Sequence, residues 1–528
     1  MLSINGDWFS SRLRPHGVRW KLCAIAIIIG FAAAQSPAQI PVYDEPYRPQ
    51  VQFSPKKNWS NDPNGLVYFK GEYHLFYQYN PFGDTWGHMS WGHAVSPDLL
   101  HWRQLPVALP EHDGEMAFTG SVVVDEQNTS GLCKRGKPCL VAVYTGHRGK
   151  GKSQREVQNI STSQDRGRTW QFYSNNPVLD REATDFRDPS VSWMPDAKTW
   201  LMAVSLPNDH KVVFYTSPDL KHWTEVSTFG PEGAKGGQWE CPDLLYVPGA
   251  SGSQGMWVLK VGLNPGALQG GSGEQYFLGS FDGRRFVKAD GPGAHGWTDY
   301  GKDSYCAISF NHLPARMDPV LIGWMNNWQY ADKLPTSPWR GQMTIPRKLL
   351  VMQDKAGRSL VQEPGTNPLR VLPANKLEST LHGDAISADV LNTELPTDLV
   401  MIFSPGDSRT IGVRIYSDRD HWTEAGYDLQ KRTFYVDRVH SGIDVAPGFL
   451  TRTEAPLVAG RPLDLHLVLD RSSIAAFAQG GTITMTNLIF PHGVTARVDF
   501  FRKGGEAPAS LRGSAWRLQS IWTSRAGR

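Results

Sequence analysis

Ser96-Pro97-Asp98-Leu99-Leu100-His101-Trp102 returns as Ser217-Pro218-Asp219-Leu220-Lys221-His222-Trp223, and this recurrence decides how the chain is expected to fold. Looser copies run from Ser163-Gln164-Asp165 to Trp170 and from Ser280-Phe281-Asp282 to Phe286. Each joins a short polar side chain that can close a turn to an aromatic ring that can pack between layers. The four serines are separated by 67, 54 and 63 residues. A period of that length, in a chain with little helical periodicity past its first segment, indicates β units arranged radially, each a four-stranded blade with long loops. Roughly 300 residues at about 60 per unit give five blades, and closing the ring removes open sheet edges. Within the units, Phe69-Lys70-Gly71-Glu72-Tyr73-His74-Leu75-Phe76-Tyr77 reads as a hairpin around a Lys-Gly turn. Val141 to Tyr144, Trp200 to Val204, Trp257 to Val261 and Val320 to Trp324 read as buried strands.

From about residue 366 the pattern changes. Asp398 to Phe403, Thr410 to Tyr416, Tyr427 to Val436, Leu463 to Asp470, Ile474 to Phe477 and Arg497 to Phe501 read as successive strands, with no repeat and no clustering of acids in turns. The expected fold is all-β: a five-bladed β-propeller over residues 39–365, then a C-terminal β-sandwich over residues 366–528. The linker is drawn through Gln362 to Pro373, which holds three prolines. At the N-terminus, Arg12, Arg14, Arg19 and Lys21 lead into the apolar run Leu22 to Ala34, with small residues at Ala32-Ala33-Ala34 and Ser36-Pro37-Ala38. About 13 apolar residues are too few to span a bilayer but suit a signal peptide. Residues 1–38 are therefore expected to direct secretion, to an extracellular or periplasmic location, and to leave no membrane attachment behind.

The chain has 54 Lys+Arg against 51 Asp+Glu, a formal charge of +3. Residues 1–38 hold four of those cations and one Asp, so their removal brings the charge to 0. A neutral protein without a basic stripe is not expected to bind nucleic acid, and an uncharged substrate fits it better. The 19 tryptophans suit either a sugar site, where the C–H face of a sugar packs on a flat ring, or a large β core. Cys133 and Cys139 bracket a turn-like Lys-Arg-Gly-Lys-Pro and are candidates for a small surface disulfide. No cysteine pair has CxxC spacing, Cys241 and Cys306 lack neighbouring ligands, and His88, His93 and His101 lack an HExxH-type pattern. No metal and no other cofactor is expected.

Three acids recur at matched phase of the blade period: Asp62 in Asn61-Asp62-Pro63-Asn64-Gly65, Asp188 in Arg187-Asp188-Pro189, and Glu240 in Trp239-Glu240-Cys241-Pro242. Asp62 and Asp188 are 126 residues apart, and Glu240 follows after 52 more, which is about two blades and then one. Phe118-Thr119-Gly120-Ser121 takes the matching place in the second blade and Asp299 to Asp303 in the fifth. Singly, each acid has an ordinary explanation as a turn cap or a local ion pair. Equal phase in a closed propeller instead gathers them around one end of the axis. Two carboxylates flanking a glycosidic bond are what sugar hydrolysis requires, one ionised at the anomeric carbon and one protonated at the leaving oxygen. Asn61 and nearby N–H groups are expected to keep Asp62 ionised, Trp239 and Cys241 to keep Glu240 protonated, and Arg187 to keep Asp188 ionised for sugar hydroxyls.

These motifs resemble the signature of glycoside hydrolase family 32, the invertases, inulinases and levanases. The resemblance covers nearly all of the chain after residue 38. It rests on Asn58-Trp59-Ser60-Asn61-Asp62-Pro63-Asn64-Gly65, Trp91-Gly92-His93-Ala94-Val95-Ser96, Phe118-Thr119-Gly120-Ser121, Arg187-Asp188-Pro189 and Glu240-Cys241-Pro242. It implies the same propeller and sandwich, with Asp62 as nucleophile, Asp188 as transition-state stabiliser and Glu240 as acid/base. It also implies that Asn61, Gln78, Trp86, Phe118, Thr119, Arg187 and Trp324 line a pocket for a terminal fructosyl ring. The implied activity is retaining hydrolysis that releases fructose from the non-reducing ends of levan or inulin, and from sucrose. A fructosyltransferase using the same site, or a non-catalytic fructan-binding propeller, is the alternative. The run Gly323 to Tyr330 and then Ser337 to Gly341 is more similar to bacterial levanases and exo-inulinases than to plant invertases. Two positions depart from the family pattern: Thr119 stands where members often have Ser, and Ala475 where many have Glu.

Overall fold

The computed structural model describes residues 43–522 except residue 251, so the expected signal peptide lies outside the described residues. The described residues are all-β, and the helices among them are single three-residue turns. The repeated turn closes as its chemistry requires. Asp98 Oδ1 accepts from the backbone N–H of Leu100 at 3.1 Å and His101 at 2.9 Å, and Asp219 Oδ1 does the same for Lys221 and His222. The looser copies hold too: Asp165 accepts from Arg168 and Thr169, and Asp282 from Arg284 and Arg285. The aromatic that follows packs against a neighbouring sheet, Trp170 on Phe76 and Phe286 on Phe229.

Residues 58–364 form five antiparallel sheets in chain order. Their first strands are Asn58–Phe69, Met116–Asp125, Arg187–Met194, Gln238–Val247 and Tyr305–Ser309. Each of these abuts the next, and the last abuts the first, in a closed cycle. Leu66, Ser121, Ser190, Asp243 and Ser309, one from each, line a common axial cavity of about 330 Å³. A short parallel pairing of Asn58 with Trp339 and Trp59 with Arg340 ties the fifth unit back to the first sheet. Stacking a sheet on both sides explains the unbroken apolar runs. In the Cys139–Arg148 strand, Leu140, Ala142 and Tyr144 pack with Phe76 and Trp91 of the first sheet, while Val141 and Val143 pack with Val191 and Met202 of the third.

The second part is two six-stranded sheets, one ordered around Asn375–Leu381, Ala509–Arg517, Thr397–Ser404 and Asp464–Asp470, the other around Ala385–Glu394, Thr495–Lys503, Thr410–Tyr416 and Trp422–Asp428. Leu399, Met401 and Phe403 from one and Ile411, Val413 and Ile415 from the other alternate into a shared core. Tyr427 to Val436, read as one strand, is in fact the end of Trp422–Asp428 and the start of Thr433–His440. Asp428 turns the chain between them by accepting from the N–H of Lys431. The expected linker also differs. Gln362 to Pro364 belong to the Gly357–Pro364 strand, and Thr366 and Arg370 both bond Asp398 of the following sheet.

Ionic contacts lock the ring to the sandwich. Arg438 is fully buried, with Nη1 2.6 Å from Asp303, Nη2 2.9 Å from the Tyr330 hydroxyl, and Nε donating to Phe449 O. Arg347 bonds Asp299, whose Oδ2 also accepts from Thr486. Asp299 and Asp303, the fifth-unit acids matched in phase to the catalytic candidates, thus serve the domain junction. Ala475 is fully buried in the same region, in an apolar cluster with Val51, Phe53 and Leu75, so a glutamate there would need a partner of its own.

Candidate active site

Each of the five axial strands carries a β-bulge near its site end. The register slips between Ser60 and Pro63, between Ala117 and Gly120, between Arg187 and Ser190, between Glu240 and Asp243, and between Tyr305 and Ile308. A bulge adds a residue, bends the strand and re-aims a side chain, and it tolerates proline. That is why Pro63, Pro189 and Pro242 sit inside strands, and why Asp188, Cys241 and Cys306 have φ of 67°, 48° and 46°. The turn expected at Asn-Asp-Pro-Asn-Gly is such a bulged strand, and the matched phase of the three acids is a match of bulges.

Asp62, Asp188 and Glu240 open on one cavity of about 250 Å³, whose wall includes Asn61, Gln78, Trp86, Phe118, Thr119 and Arg187. Asp62 Oδ2 accepts from the Thr119 hydroxyl at 3.4 Å, and Oδ1 has no hydrogen-bond partner among the described residues. Trp59 Nε1 donates to Asn61 Oδ1 at 2.8 Å, and Gln78 Nε2 to Ala117 O at 3.1 Å, so both amides are held from behind. Trp86 stands at the rim, 46% exposed, and Phe118 stacks on His147 at 4.3 Å. Trp324 is not on the wall. It is fully buried against Trp59 and Trp328, and Trp328 takes the wall position together with Asn264.

Arg187 favours the ionised form of Asp188 through its charge, as expected, but its ion pairs are made elsewhere. Its Nε and Nη2 both lie 3.0 Å from Glu240 Oε1, and Nη2 is 2.7 Å from Gln238 Oε1. Nη1 is 3.2 Å from Glu156 and 3.1 Å from Asp185. The other oxygen of Glu240 accepts from the Tyr305 hydroxyl. Burial disfavours the Arg187 cation, but Glu240 and Glu156 more than offset this and hold it protonated. With the guanidinium committed there, the aspartates are pushed up. Burial raises Asp62 well above the usual carboxylate range, Glu240 and Asp188 add to this, and Asn61 and Thr119 offset only part. Burial and Glu240 push Asp188 up to about 7, against Arg187 and the Cys241 N–H, which donates to Asp188 Oδ2 at 2.8 Å. For both aspartates, burial and the neighbouring carboxylates thus outweigh the contacts expected to keep them ionised.

Glu156, Tyr305, Trp328 and Asn264 were not singled out in the sequence. Trp328 lies in the aromatic run after Gly323, which was a usable signal, whereas Glu156 is an isolated acid between Arg155 and Val157. Two disulfides are present, Cys133–Cys139 and Cys241–Cys306. The second pairs two cysteines that sequence spacing left unassigned. The histidines have local partners: His88 bonds Glu111, His93 bonds His74 and His101 bonds Asp98.

Residues 52–364 match the description "Glycosyl hydrolases family 32 N-terminal domain" and residues 365–517 match "Glycosyl hydrolases family 32 C terminal". The chain belongs to glycoside hydrolase family 32. It is 41% identical to a levanase of Bacillus subtilis over 517 residues, covering 94% of this chain and 74% of the levanase. It resembles the crystal structure of exo-inulinase from Aspergillus awamori, with TM-score 0.84 and 38% identity over 91% of this chain and all of that one. The β-fructofuranosidase of Schwanniomyces occidentalis, solved with fructosyl-erythritol, has TM-score 0.77 and 30% identity over 89% of this chain and 98% of that one. This family 32 member is a glycoside hydrolase.

Proposed function

We propose that this family 32 hydrolase is a retaining β-fructofuranosidase that releases fructose from the non-reducing ends of β-fructans and from sucrose. The observation that carries the reading is the convergence of Asp62, Asp188 and Glu240 on one small cavity. In the proposed mechanism Asp62 attacks C2 of the terminal fructosyl unit while Glu240 protonates the departing oxygen. Water activated by Glu240 then attacks the fructosyl-enzyme and releases fructose. Asp188 stabilises the oxocarbenium-like transition state. Asp62 attacks as the carboxylate; burial and mutual repulsion make the two aspartates costly to ionise, and positive charge developing at C2 relieves that repulsion in the transition state, where it counts. A cavity of about 250 Å³ is smaller than the ~300–1,000 Å³ of pockets for drug-sized ligands, which favours a single terminal ring over an internal stretch of polymer.

The ring of five sheets is read as a five-bladed propeller over residues 39–365, with the sandwich over 366–528. Secretion directed by residues 1–38 is supported by the two disulfides, which persist in oxidising compartments, and by exo-inulinase relatives named as extracellular. No helix of the described residues is long and apolar enough to cross a membrane.

The test is a time course of products from levan and from inulin, with the anomer of the first-formed fructose followed by NMR. Fructose alone from the start, as the β anomer, is expected. Early oligosaccharides overturn the exo reading, an initial α anomer overturns retention, and chain lengthening in concentrated sucrose favours transfer over hydrolysis.

A further inference from the structure

The mechanism above gives the Cys241–Cys306 disulfide no role, yet it lies directly beneath the three carboxyls. Both cysteines are buried, 2% and 0% exposed, with Cα atoms 5.4 Å apart. Each sits in the bulge of its axial strand, and the two strands belong to different sheets that share no ladder hydrogen bonds. Cys241 directly follows Glu240, Cys306 directly follows Tyr305, and the Tyr305 hydroxyl donates to Glu240. The backbone N–H of Cys241 bonds Asp188, and both sulphurs lie within 4.8 Å of an Asp62 carboxylate oxygen. Cys133–Cys139, by contrast, spans six residues of chain and touches none of these groups.

We propose that the Cys241–Cys306 disulfide is a positioning crosslink for acid catalysis, holding the Glu240 and Tyr305 strands at the spacing from which Glu240 protonates the leaving oxygen. The proposal rests on Glu240 as the acid. The two strands have no ladder between them; apart from the disulfide they are tied by side-chain hydrogen bonds, Tyr305 to Glu240 beside the cysteines and Ser309 to Asp243 further along. Displacing a catalytic group by about 1 Å can cost on the order of 10²-fold in rate. Reduction transfers two electrons and two protons from a dithiol to the cystine, giving two thiols and the oxidised reagent, and frees the strands to shift. Acid catalysis thereby becomes dependent on an oxidising environment.

The experiment compares two substrates by kcat/KM, which reports only the steps through fructosyl transfer. Sucrose has a poor leaving group and needs the acid; 4-nitrophenyl β-fructofuranoside has a good one and does not. The background carries Cys133→Ser and Cys139→Ser, so that only one disulfide responds. With dithiothreitol, or with Cys306→Ala, kcat/KM on sucrose is expected to fall about tenfold and on the aryl fructoside less than about twofold. Reoxidation restores the reductant-treated enzyme, and Tyr305→Phe shifts the two substrates in the same unequal way. Equal loss on both substrates, no loss on either, or Cys241 and Cys306 alkylated before any reduction overturns the crosslink. Glu240→Gln is the reference: if it too affects both substrates equally, the assignment of the acid fails, and if it alone discriminates, only the crosslink fails.

Discussion

Replacing Arg187 by lysine keeps a buried cation and removes the fork. In the folded protein the guanidinium serves two sides at once, Glu240 at 3.0 Å through Nε and Nη2, and Glu156 with Asp185 at 3.2 and 3.1 Å through Nη1. A lysine ammonium is a single point charge on a flexible stem and cannot span both. Two carboxylates on the far side outweigh one, so the ammonium settles with Glu156 and Asp185 and Glu240 loses a charge-assisted hydrogen bond. Such a bond contributes about 1.5–3 kcal/mol, which at 1.36 kcal/mol per decade lowers kcat/KM by about 10- to 150-fold. Folding is nearly unaffected, because the buried carboxylates keep a cation. Arg187→Met leaves them without one and destabilises by about 3–5 kcal/mol. The assays are initial rates on sucrose and a short fructan, with urea unfolding of both variants. Activity of Arg187→Lys within threefold of the parent, or equal stability of the two variants, refutes the bridging role.

Asp62→Asn keeps the shape of the pocket and removes the nucleophile, so turnover falls by about 10⁴-fold or more with an unchanged circular dichroism spectrum; residual activity near the parent's excludes Asp62 from the reaction. Asp188 has a folded pKa of about 7, above the unfolded ~3.9, so its contribution favours the folded state at low pH and is lost as pH rises through 7. Asp188→Asn is therefore expected to be inactive yet more stable than the parent at pH 8, by up to about 4 kcal/mol, with the gain shrinking towards pH 4. Unfolding curves at both pH values check this, and an Asp188→Asn protein less stable than the parent at pH 8 contradicts it. At the junction, Arg438→Met strands the buried Asp303 and costs about 3–5 kcal/mol, while adding Asp303→Leu restores most of the loss. A double variant as unstable as the single one would show that the ion pair is not the cause.

Much of the fold was legible because its signals are local. The Ser-Pro-Asp-Leu-x-His-Trp turn is made by one aspartate and the N–H groups two and three residues on, so four or five residues suffice to announce it. The same chemistry recurs in Ser417-Asp418-Arg419-Asp420-His421-Trp422 of the sandwich, where Asp418 accepts from Asp420 and His421. The motif thus marks a kind of turn, and only its spacing marks a ring. The break inside Tyr427 to Val436 was missed because the residues on both sides of Leu429 to Arg432 have strand-like composition, and only pairing partners separate two strands from one.

By itself the sequence determined the strand-rich class, the repeat, the change of pattern near residue 366 and the three acids, since each depends on residue type and spacing along the chain. The tertiary structure alone decided what lies next to what. It turned Arg187 away from Asp188 towards Glu240 and Glu156, placed Trp328 on the wall instead of Trp324, joined Cys241 to Cys306, and gave Asp299 and Asp303 to the domain junction. It also decided the direction in which the two aspartate pKa values move. A carboxyl's pKa depends on burial and on charges a few ångströms away, and Glu240, which raises both aspartates, is 178 residues from Asp62 and 52 from Asp188 in sequence.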